Sequence, residues 1–247
     1  MSIGDNITTV IVDTHHYTLG LNALENSTRK FPTKEVIVFS DQPHKWKNFP
    51  CRIIPKIQSM EDYNNIILND IVEYINTDYL LIIQYDGFVL NPQKFIKEFL
   101  EVDYIGAPWN FFNYRKVGNG GFSLRSKRLC EVLKKYAYLR PPGQAEDYFI
   151  CQEIADILEH HHGIKFAPPL LAEKFSIENK FIKNMPFGFH GLATLPFLYQ
   201  NHLGYLLNNL HPRYLKGLAL KRLEKSFGEI GSDALTILKE FLRNGPV

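Results

Sequence analysis

The segment Tyr79-Leu-Leu-Ile-Ile83 is the most apolar stretch of the chain, and the polar residues Gln84-Tyr-Asp86 follow it directly. A continuous apolar run of this length indicates a strand that is covered on both faces, as in a parallel sheet. In open α/β sheets, ligands bind at the carboxyl ends of the strands. The segment therefore predicts an α/β fold and also the sheet edge at which its site lies.

On both sides of this segment, strand-like runs alternate with helical patterns, and two of the runs also end in acidic residues, at Asp13 and Asp41. Periodicity predicts strands at 9–12, 35–39, 52–54, 79–83 and 103–105, and helices at 19–29, 60–75, 91–100, 126–136 and 146–162. Asn91-Pro92 supplies the cap and first residue of the third helix. This order predicts a doubly wound, mostly parallel sheet.

The last third of the chain shows weaker strand signals near Lys165 and Phe175, followed by a mostly helical tail. No linker-like segment divides the sequence. We therefore expect one domain at 1–195 and a helical C-terminal extension at 196–247 that packs on the same domain.

The composition is that of an ordinary globular protein. Hydrophobic residues make up 45% of the 247 residues and charged residues 22%, which argues against disorder. The formal net charge of +2 creates no field that marks nucleic acid as a partner. The 3 cysteines show no metal-ligand spacing. No apolar run approaches the roughly 20 residues that span a bilayer, and no signal peptide is visible, so we expect a cytoplasmic protein.

Asp86 admits two interpretations. A carboxylate at the carboxyl edge of the sheet could bind a hard divalent cation that holds a diphosphate. Asp86-Gly87 between two apolar runs is also a common tight turn that needs no ligand. On this motif alone, the turn is the better explanation.

Later motifs carry further polar candidates. Closely spaced glycines at Gly118-Asn-Gly-Gly121 let backbone N–H groups approach a ligand, or form only a flexible turn. Glu146-Asp147 opens a helix, where acidic residues complement the dipole, but one of them could act as a general base. His190 lies among aromatic residues and glycines, where a lone His is more often a core residue than a metal ligand. The triplet at 160–162 ends a helix before Gly163, and that position explains it.

Taken in order, these motifs resemble those of the GT-A glycosyltransferase superfamily. Gln84-Tyr-Asp86 resembles its DxD metal motif, 118–122 its glycine loop, Glu146-Asp147 its acidic motif and His190 its C-terminal histidine. The segments QYDGF, DYIGAPW, GNGGFSLRS, AEDYF and FGFHG together resemble the bacterial and viral family DUF5672. The similarity covers about residues 9–192 and implies a Rossmann-like GT-A fold.

The resemblance implies transfer of a sugar from a nucleotide-diphosphate donor, most commonly a UDP-sugar, to a hydroxyl of a glycan or glycoconjugate. Asp86 and His190 would hold Mn²⁺ or Mg²⁺, Asp147 would be the base of an inverting reaction, and Glu146 would orient the acceptor. The donor site would comprise Asp13, Asp41, Tyr63, Asn64, Gln84, Asp86, Gly120 and Gly121. Capping or turn chemistry explains the first four of these about as well. Trp109 could stack on a sugar ring, although it is at least as often a core residue.

Gln84 departs from the DxD pattern, because a neutral oxygen donor replaces the first Asp. The loss of one anionic ligand lowers the expected metal affinity. The departure also leaves the alternative that the protein is a non-catalytic module that binds nucleotide or glycan. Within enzymes, the alternative is a retaining transferase in which Glu146 and Asp147 are not bases.

The tail contains a basic amphipathic segment at 213–227. Its apolar face carries Leu215, Leu218, Ala219 and Leu223, with Lys216, Lys221, Arg222 and Lys225 around them. Such a helix can lie on an anionic membrane surface. We prefer the commoner alternative, a helix packed on the domain with a solvated basic face.

Overall fold

The structure, a computed structural model, describes residues 3–109 and 117–245 of the chain. The strands are β1 (Ile7–Val12), β2 (Glu35–Ser40), β3 (Cys51–Ile53), β4 (Tyr79–Ile83), β5 (Tyr104–Ile105), β6 (Ser123–Ser126), β7 (Ser176–Glu178) and β8 (Gly188–His190). The α-helices are α1 (Tyr17–Lys30), α2 (Met60–Asn65), α3 (Lys127–Tyr136), α4 (Glu146–Tyr148), α5 (Ala155–His162), α6 (Pro169–Phe175), α7 (Leu195–Leu198), α8 (Leu203–Asn209), α9 (Gly217–Ile230) and α10 (Ser232–Asn244).

Two helices continue in wider or tighter turns. A π-helical segment, Ile66–Asp70, and a 3₁₀ turn, Ile71–Tyr74, prolong α2, while a π-helical segment, Phe149–Glu153, prolongs α4. The predicted helix at 146–162 is therefore present but divided, with Ile154 between its two parts. Further 3₁₀ turns lie at Ile3–Asn6, Pro43–Trp46, Pro92–Lys94, Lys97–Leu100, Ala137–Leu139, Leu192–Thr194 and Pro212–Tyr214.

Six strands form the central sheet in the order β3-β2-β1-β4-β6-β5. The first four are parallel to one another, and β6 runs antiparallel to both β4 and β5. In the centre, Ile11 of β1 pairs with Val38 on one side and Ile83 on the other. This register brings the residues that follow β1 and β4 to one edge. The prediction of a doubly wound, mostly parallel α/β sheet is confirmed.

Both faces of the sheet are covered, as the apolar strands predicted. On one face, Ile11, Leu81 and Ile83 pack with Leu24 of α1. On the other, Val10 and Ile82 belong to a second cluster that contains Ile66 and Ile71 from the α2 region. Alternate residues of β1 and β4 therefore face opposite layers, which explains why these strands carry no polar side of their own.

The predicted helix at 91–100 is wrong. Two 3₁₀ turns, Pro92–Lys94 and Lys97–Leu100, stand in its place. The Asn91 side chain does not cap them, because its amide donates to the backbone oxygens of Met185 and Pro186 at 2.8 and 3.0 Å. Packing in an aromatic cluster with Phe187 fixes Phe95 and Phe99, and this long-range packing overrides the local helix signal.

The strand signal near Lys165 corresponds only to an isolated parallel bridge between Phe166 and Tyr104, and no strand forms there. The signal near Phe175 corresponds to β7, which pairs in parallel with β8 in a small separate sheet. That pairing places His190 at the end of β8, beside the turn that follows β4.

The segment 196–247 shares a hydrophobic cluster with the sheet domain. Leu206, Leu223 and Phe227 pack in it together with Leu19 of α1 and Phe88. This shared cluster supports the prediction that the extension belongs to the same domain. In α9, Leu223 and Phe227 face inward whereas Lys221 and Arg222 are exposed, which favours the packed helix over a membrane-surface helix. Leu215 precedes this helix. Within the described ranges, no helix is both long and apolar enough to cross a bilayer.

We predict that Phe227→Ala lowers the free energy of unfolding by about 3–5 kcal/mol, because it empties a fully buried aromatic site. The matched control in the same helix is Leu218→Ala, whose side chain is 65% exposed and should change stability by no more than about 0.5 kcal/mol. Urea unfolding measures both. Equal stability of the two variants would show that the extension does not contribute to the domain's core.

Candidate active site

A cavity of about 530 Å³ opens at the carboxyl edge of β1 and β4. The residues after β1, the start of α2, the end of β4 and the turn before α9 form its walls. Its polar lining includes Asp13, Thr14, His15, His16, Gln58, Ser59, Tyr63, Gln84, Tyr85, Arg213 and Tyr214. The cavity therefore lies at the sheet edge that the sequence indicated.

The turn after β4 is both a tight turn and the carrier of the candidate cation ligand. The backbone N–H of Gln84 donates to the oxygen of Gly87 at 2.8 Å, and the reverse bond is 3.0 Å long. The backbone oxygen of Asp86 accepts from Gly191 N–H at 2.7 Å, which binds the turn to the end of β8. The tight turn is therefore present, and it does not exclude Asp86 as a cation ligand, because the turn itself carries this residue.

Three side chains meet at this turn. His190 Nε2 lies 3.7 Å from Asp86 Oδ1 and 3.2 Å from Gln84 Oε1. Burial raises the pKa of Asp86, and nearby His190 partly offsets this effect. Asp86 Oδ1 is buried and has no hydrogen-bond partner within the described residues. An unpaired buried carboxylate oxygen is costly unless a further group, such as a cation, contacts it.

The three side chains fit a divalent cation such as Mn²⁺ or Mg²⁺ in donor type. Carboxylate and amide oxygens with one imidazole suit Mn²⁺, and two ligands of one ion lie roughly 3–4 Å apart, as Asp86 and His190 do. Binding at His190 Nε2 requires the ring proton on Nδ1, with the Asn119 amide turned to accept it. In residues 3–109 and 117–245 no group of 3 or more His, Cys, Asp or Glu side chains forms a metal cluster, which agrees with the neutral Gln84.

The glycine loop joins this turn to the acidic motif. Asn119 Nδ2 lies 2.8 Å from His190 Nδ1, and the backbone N–H of Gly120 donates to Asp147 Oδ2 at 2.9 Å. A Cβ on Gly121 would overlap with the His190 ring, and a Cβ on Gly120 would overlap with Glu146. The glycines are therefore required by close approach. Two consecutive loop residues therefore contact the two site residues, Asn119 with His190 and Gly120 with Asp147.

Glu146 is the buried partner of Arg125. Its Oε1 accepts from Arg125 Nη2 at 2.6 Å, and its Oε2 accepts from the backbone N–H of Asp147 at 2.7 Å. Both side chains are at most 6% exposed. Because both carboxylate oxygens are engaged inside the protein, this geometry favours a positioning role for Glu146 over the predicted contact with an acceptor.

Asp147 is half-buried and has a pKa raised to about 6. Burial is the main cause, followed by the negative charge of Glu146, while backbone N–H bonds from Gly120 and Tyr148 act in the opposite direction. Each carboxylate oxygen keeps a free lone pair beside these bonds. A carboxyl group with this pKa can exchange a proton near neutral pH.

Asp13 and His16 form the inner wall of the cavity. Asp13 Oδ1 accepts from the backbone N–H groups of His15 and His16 at 2.7 and 2.8 Å, and burial raises its pKa to about 6. Burial lowers the pKa of His16 to about 3, so the ring is neutral and stacks on Tyr85 at 3.8 Å between centroids. Asp13 therefore both shapes the turn and lines the cavity.

Tyr63 and Gln84 connect the cavity to the cation ligands, since Gln84 Nε2 donates to the Tyr63 hydroxyl at 2.8 Å. Asn64, predicted for the donor pocket, does not line the cavity, because its amide bonds to Gln144 O and Glu146 N. Asp41 also lies outside the lining and accepts from the Tyr17 hydroxyl at 2.8 Å. Trp109 is only 6% exposed and packs in the core.

Sequence reasoning missed three residues of this site: Asn119, Arg125 and Arg213. A charged residue within the strand pattern Ser123–Ser126 was the available signal for Arg125, because a buried Arg requires a partner. Asn119 has a φ of 59°, which is a conformation that Asn tolerates better than most residues. Nothing in the local sequence connects Arg213 to the cavity.

Comparisons with known proteins agree with this architecture. Residues 44–190 match the model of the family described as "Protein of unknown function (DUF5672)". No curated protein sequence matches the chain. A solved glycosyltransferase involved in glycosylation of the major capsid of PBCV-1 is similar over 74% of this chain and 91% of that chain, with 14% identity and a TM-score of 0.51. This likeness confirms the predicted GT-A fold.

Two mycobacterial structures are more distant. One is titled only as a mycobacterial protein, with 10% identity, a TM-score of 0.38 and coverage of 51% of this chain and 54% of that chain. The other is glucosyl-3-phosphoglycerate synthase from Mycobacterium tuberculosis in complex with Mn²⁺, UDP-glucose and glycerol 3-phosphate. It has 10% identity, a TM-score of 0.39 and coverage of 51% and 58%.

We predict that Gly121→Ala lowers the free energy of unfolding by about 1–3 kcal/mol, because its methyl group displaces His190 and Gln84 from a packed site. The matched control is Gly204→Ala in α8, where a Cβ meets nothing within 4 Å and stability should stay equal or rise by up to about 1 kcal/mol. Urea unfolding measures the free energy of unfolding of both variants. A Gly121→Ala protein as stable as the control would contradict the close approach.

Proposed function

This chain belongs to the DUF5672 family, and from its GT-A fold and the geometry of its site we propose that it is a glycosyltransferase. The proposed reaction moves a sugar from a nucleotide-diphosphate donor, with UDP-sugars as the first class to test, to a hydroxyl of a glycan or glycoconjugate. It is metal-assisted and inverts the anomeric configuration. The GT-A fold supports the reaction class, while the assignment of residues rests on the site itself.

One observation carries the proposal. Two consecutive loop residues connect the candidate cation ligand to the candidate base: Asn119 contacts His190, and Gly120 donates to Asp147. A sugar transferase needs both groups near one reacting centre, because the donor diphosphate leaves from one side and the acceptor hydroxyl attacks from the other. The short connection supports a shared site for these segments.

Asp147 is the proposed general base. Its carboxylate accepts the proton of an acceptor hydroxyl as the hydroxyl oxygen forms a bond to the anomeric carbon. The bond from that carbon to the diphosphate oxygen breaks at the same time, and its electron pair leaves with the diphosphate. The pKa of about 6 leaves Asp147 ionised at neutral pH yet basic enough to take the proton.

Asp86, His190 and Gln84 are the proposed ligands of the divalent cation. When bound, the cation offsets the negative charge that develops on the leaving diphosphate. Gln84 also donates to Tyr63, so its carbonyl oxygen is oriented toward His190. Asp13 and Tyr63 are proposed as donor-pocket residues, since both line the cavity next to Gln84.

We propose an inverting reaction rather than a retaining one. A retaining enzyme does not need a base on the acceptor side, whereas Asp147 has the raised pKa that such a base requires. Gln84 is the feature that favours a non-catalytic binding module, because it leaves Asp86 as the only carboxylate among the three proposed ligands. Turnover by the wild-type protein separates this module from an enzyme.

We predict that Asp147→Asn lowers kcat by at least about 100-fold, because the amide cannot take the proton of the acceptor. Binding of UDP, measured by calorimetry, should be nearly unchanged. The kcat/KM of the wild type should fall as the pH drops through about 6, because protonation removes the base. Asp70→Asn, an exposed carboxylate at the end of the α2 region, serves as the control and should retain full activity.

Unchanged turnover of the Asp147→Asn protein would remove Asp147 from the mechanism. The product's anomeric configuration, read by NMR, tests the inverting assignment independently. If the wild type neither transfers nor hydrolyses any nucleotide sugar in a broad panel, the binding module is the better explanation.

We predict that Asp86→Ala weakens Mn²⁺-dependent UDP binding by at least about 10-fold, because the proposed site loses its one anionic ligand. Titration of UDP with and without Mn²⁺ measures the effect, and Asp70→Ala is the matched control. Equal Mn²⁺ dependence in the Asp86→Ala and wild-type proteins would refute the ligand assignment.

A further inference from the structure

Arg213 reaches the cavity from a part of the chain far from the other site residues. It lies in the 3₁₀ turn Pro212–Tyr214, between α8 and α9, and outside the family match at 44–190. Its side chain lines the cavity together with Asp13, Gln84 and Tyr85. The C-terminal extension therefore does more than cover the core, because it supplies one wall of the cavity.

Aromatic packing holds this turn in place. The ring of Tyr214 lies 5.9 Å from Tyr85 and 5.5 Å from His16, measured between centroids. The guanidinium of Arg213 lies 4.7 Å from the centroid of the Tyr214 ring and donates through Nη2 to its hydroxyl at 2.6 Å. The backbone N–H of Arg213 also donates to His211 Nδ1 at 3.2 Å. Arg213 is thus placed beside the turn that carries Asp86.

A diphosphate in this cavity needs a positively charged side chain beside it, because carboxylates line or adjoin the cavity. Within the described chain, Arg213 is the only Lys or Arg that lines the cavity, while Asp13 lines it and buried Asp86 follows Tyr85. The positive charge of Arg213 is close enough to lower the pKa of both His16 and Asp86. A diphosphate would meet these carboxylates unfavourably unless positive groups faced it.

We propose that Arg213 binds the diphosphate of the nucleotide donor, so that the C-terminal extension completes the donor site. The inference rests on the proposed transferase function and adds a binding residue to it. A guanidinium keeps its charge at every physiological pH and can bind two phosphate oxygens at once. Its side chain is exposed, with N–H groups beyond the one bound to Tyr214, so a ligand can contact it.

The neutral Gln84 increases the share of diphosphate binding that Arg213 supplies. With one anionic ligand fewer, the cation site holds Mn²⁺ or Mg²⁺ less tightly, and a smaller share of the diphosphate charge is neutralised there. Arg213 supplies positive charge that does not depend on the cation. Its effect on binding should therefore persist when the divalent cation is removed.

The test uses the full-length protein and calorimetric titration of UDP, with Mn²⁺ and with a chelator, at several salt concentrations. The variants are Arg213→Gln, Arg213→Lys and, as a matched control, Arg222→Gln. Arg222 is exposed on α9 and does not line the cavity. Thermal unfolding of each variant verifies that the fold is kept.

We expect Arg213→Gln to weaken UDP binding by about 10- to 100-fold, both with and without Mn²⁺. Its affinity should also depend less on salt than that of the wild type, because one screened charge is gone. The UDP affinity of Arg213→Lys should lie between those of Arg213→Gln and the wild type, since lysine keeps the charge but lacks the planar guanidinium. Arg222→Gln should bind as the wild type does.

Three results would overturn the inference. Equal UDP affinity of the Arg213→Gln and wild-type proteins would remove Arg213 from the site and leave the transferase proposal intact. A loss of affinity with an unchanged salt dependence would mean that Arg213 acts only by packing on Tyr214. If the wild type binds none of UDP, GDP, ADP and CDP, the inference and the proposed function both fail.

Discussion

The buried ion pair between Arg125 and Glu146 is the interaction on which the rest of the site depends. It joins the antiparallel strand β6 to the start of α4, and its carboxylate also receives the backbone N–H of Asp147. Burying two charges is costly, and removing either partner would leave the other uncompensated, at a cost of about 3–5 kcal/mol. The pair therefore fixes the position of Asp147 through backbone geometry rather than through contact with a substrate.

The same ion pair affects the electrostatics of Asp147, because the charge of Glu146 raises its pKa, whereas Asp13 owes its raised pKa to its own burial. Both carboxyls have a pKa near 6 in the folded protein, chiefly because they are buried. A raised folded-state pKa means that ionisation opposes folding, so the stability that these groups contribute is present below the unfolded pKa and is lost as the pH rises through about 6. Arg213, in the wall of the cavity, instead lowers the raised pKa of Asp86 and can face an anion when one is bound.

Much of the fold and part of the site could be predicted from the sequence. The run Tyr79–Ile83 gave both the strand and the edge at which the cavity opens. The predicted helix at 126–136 corresponds to α3, which Ser126 caps with its hydroxyl accepting from Leu129 N–H at 3.0 Å. The resemblance to the GT-A superfamily implied that His190 and Asp86 act together, and His190 Nε2 lies 3.7 Å from Asp86 Oδ1. The two 3₁₀ turns that replace the expected helix at 91–100 could not be predicted, because packing against Phe187 outweighs a local capping signal.

The sequence by itself determined most strands and helices of the α/β fold, because their patterns depend on neighbours a few residues apart, and the GT-A class followed from the resemblance of its motifs. Only the tertiary structure decided which polar groups face the cavity. The amide of Asn64 is engaged in hydrogen bonds to residues about 80 positions away. Arg213 lines the cavity although it lies outside the residues that match the family. Glu146 turns inward because Arg125 is there to pair with it. These outcomes depend on contacts between distant segments, and no local pattern of residue types records them.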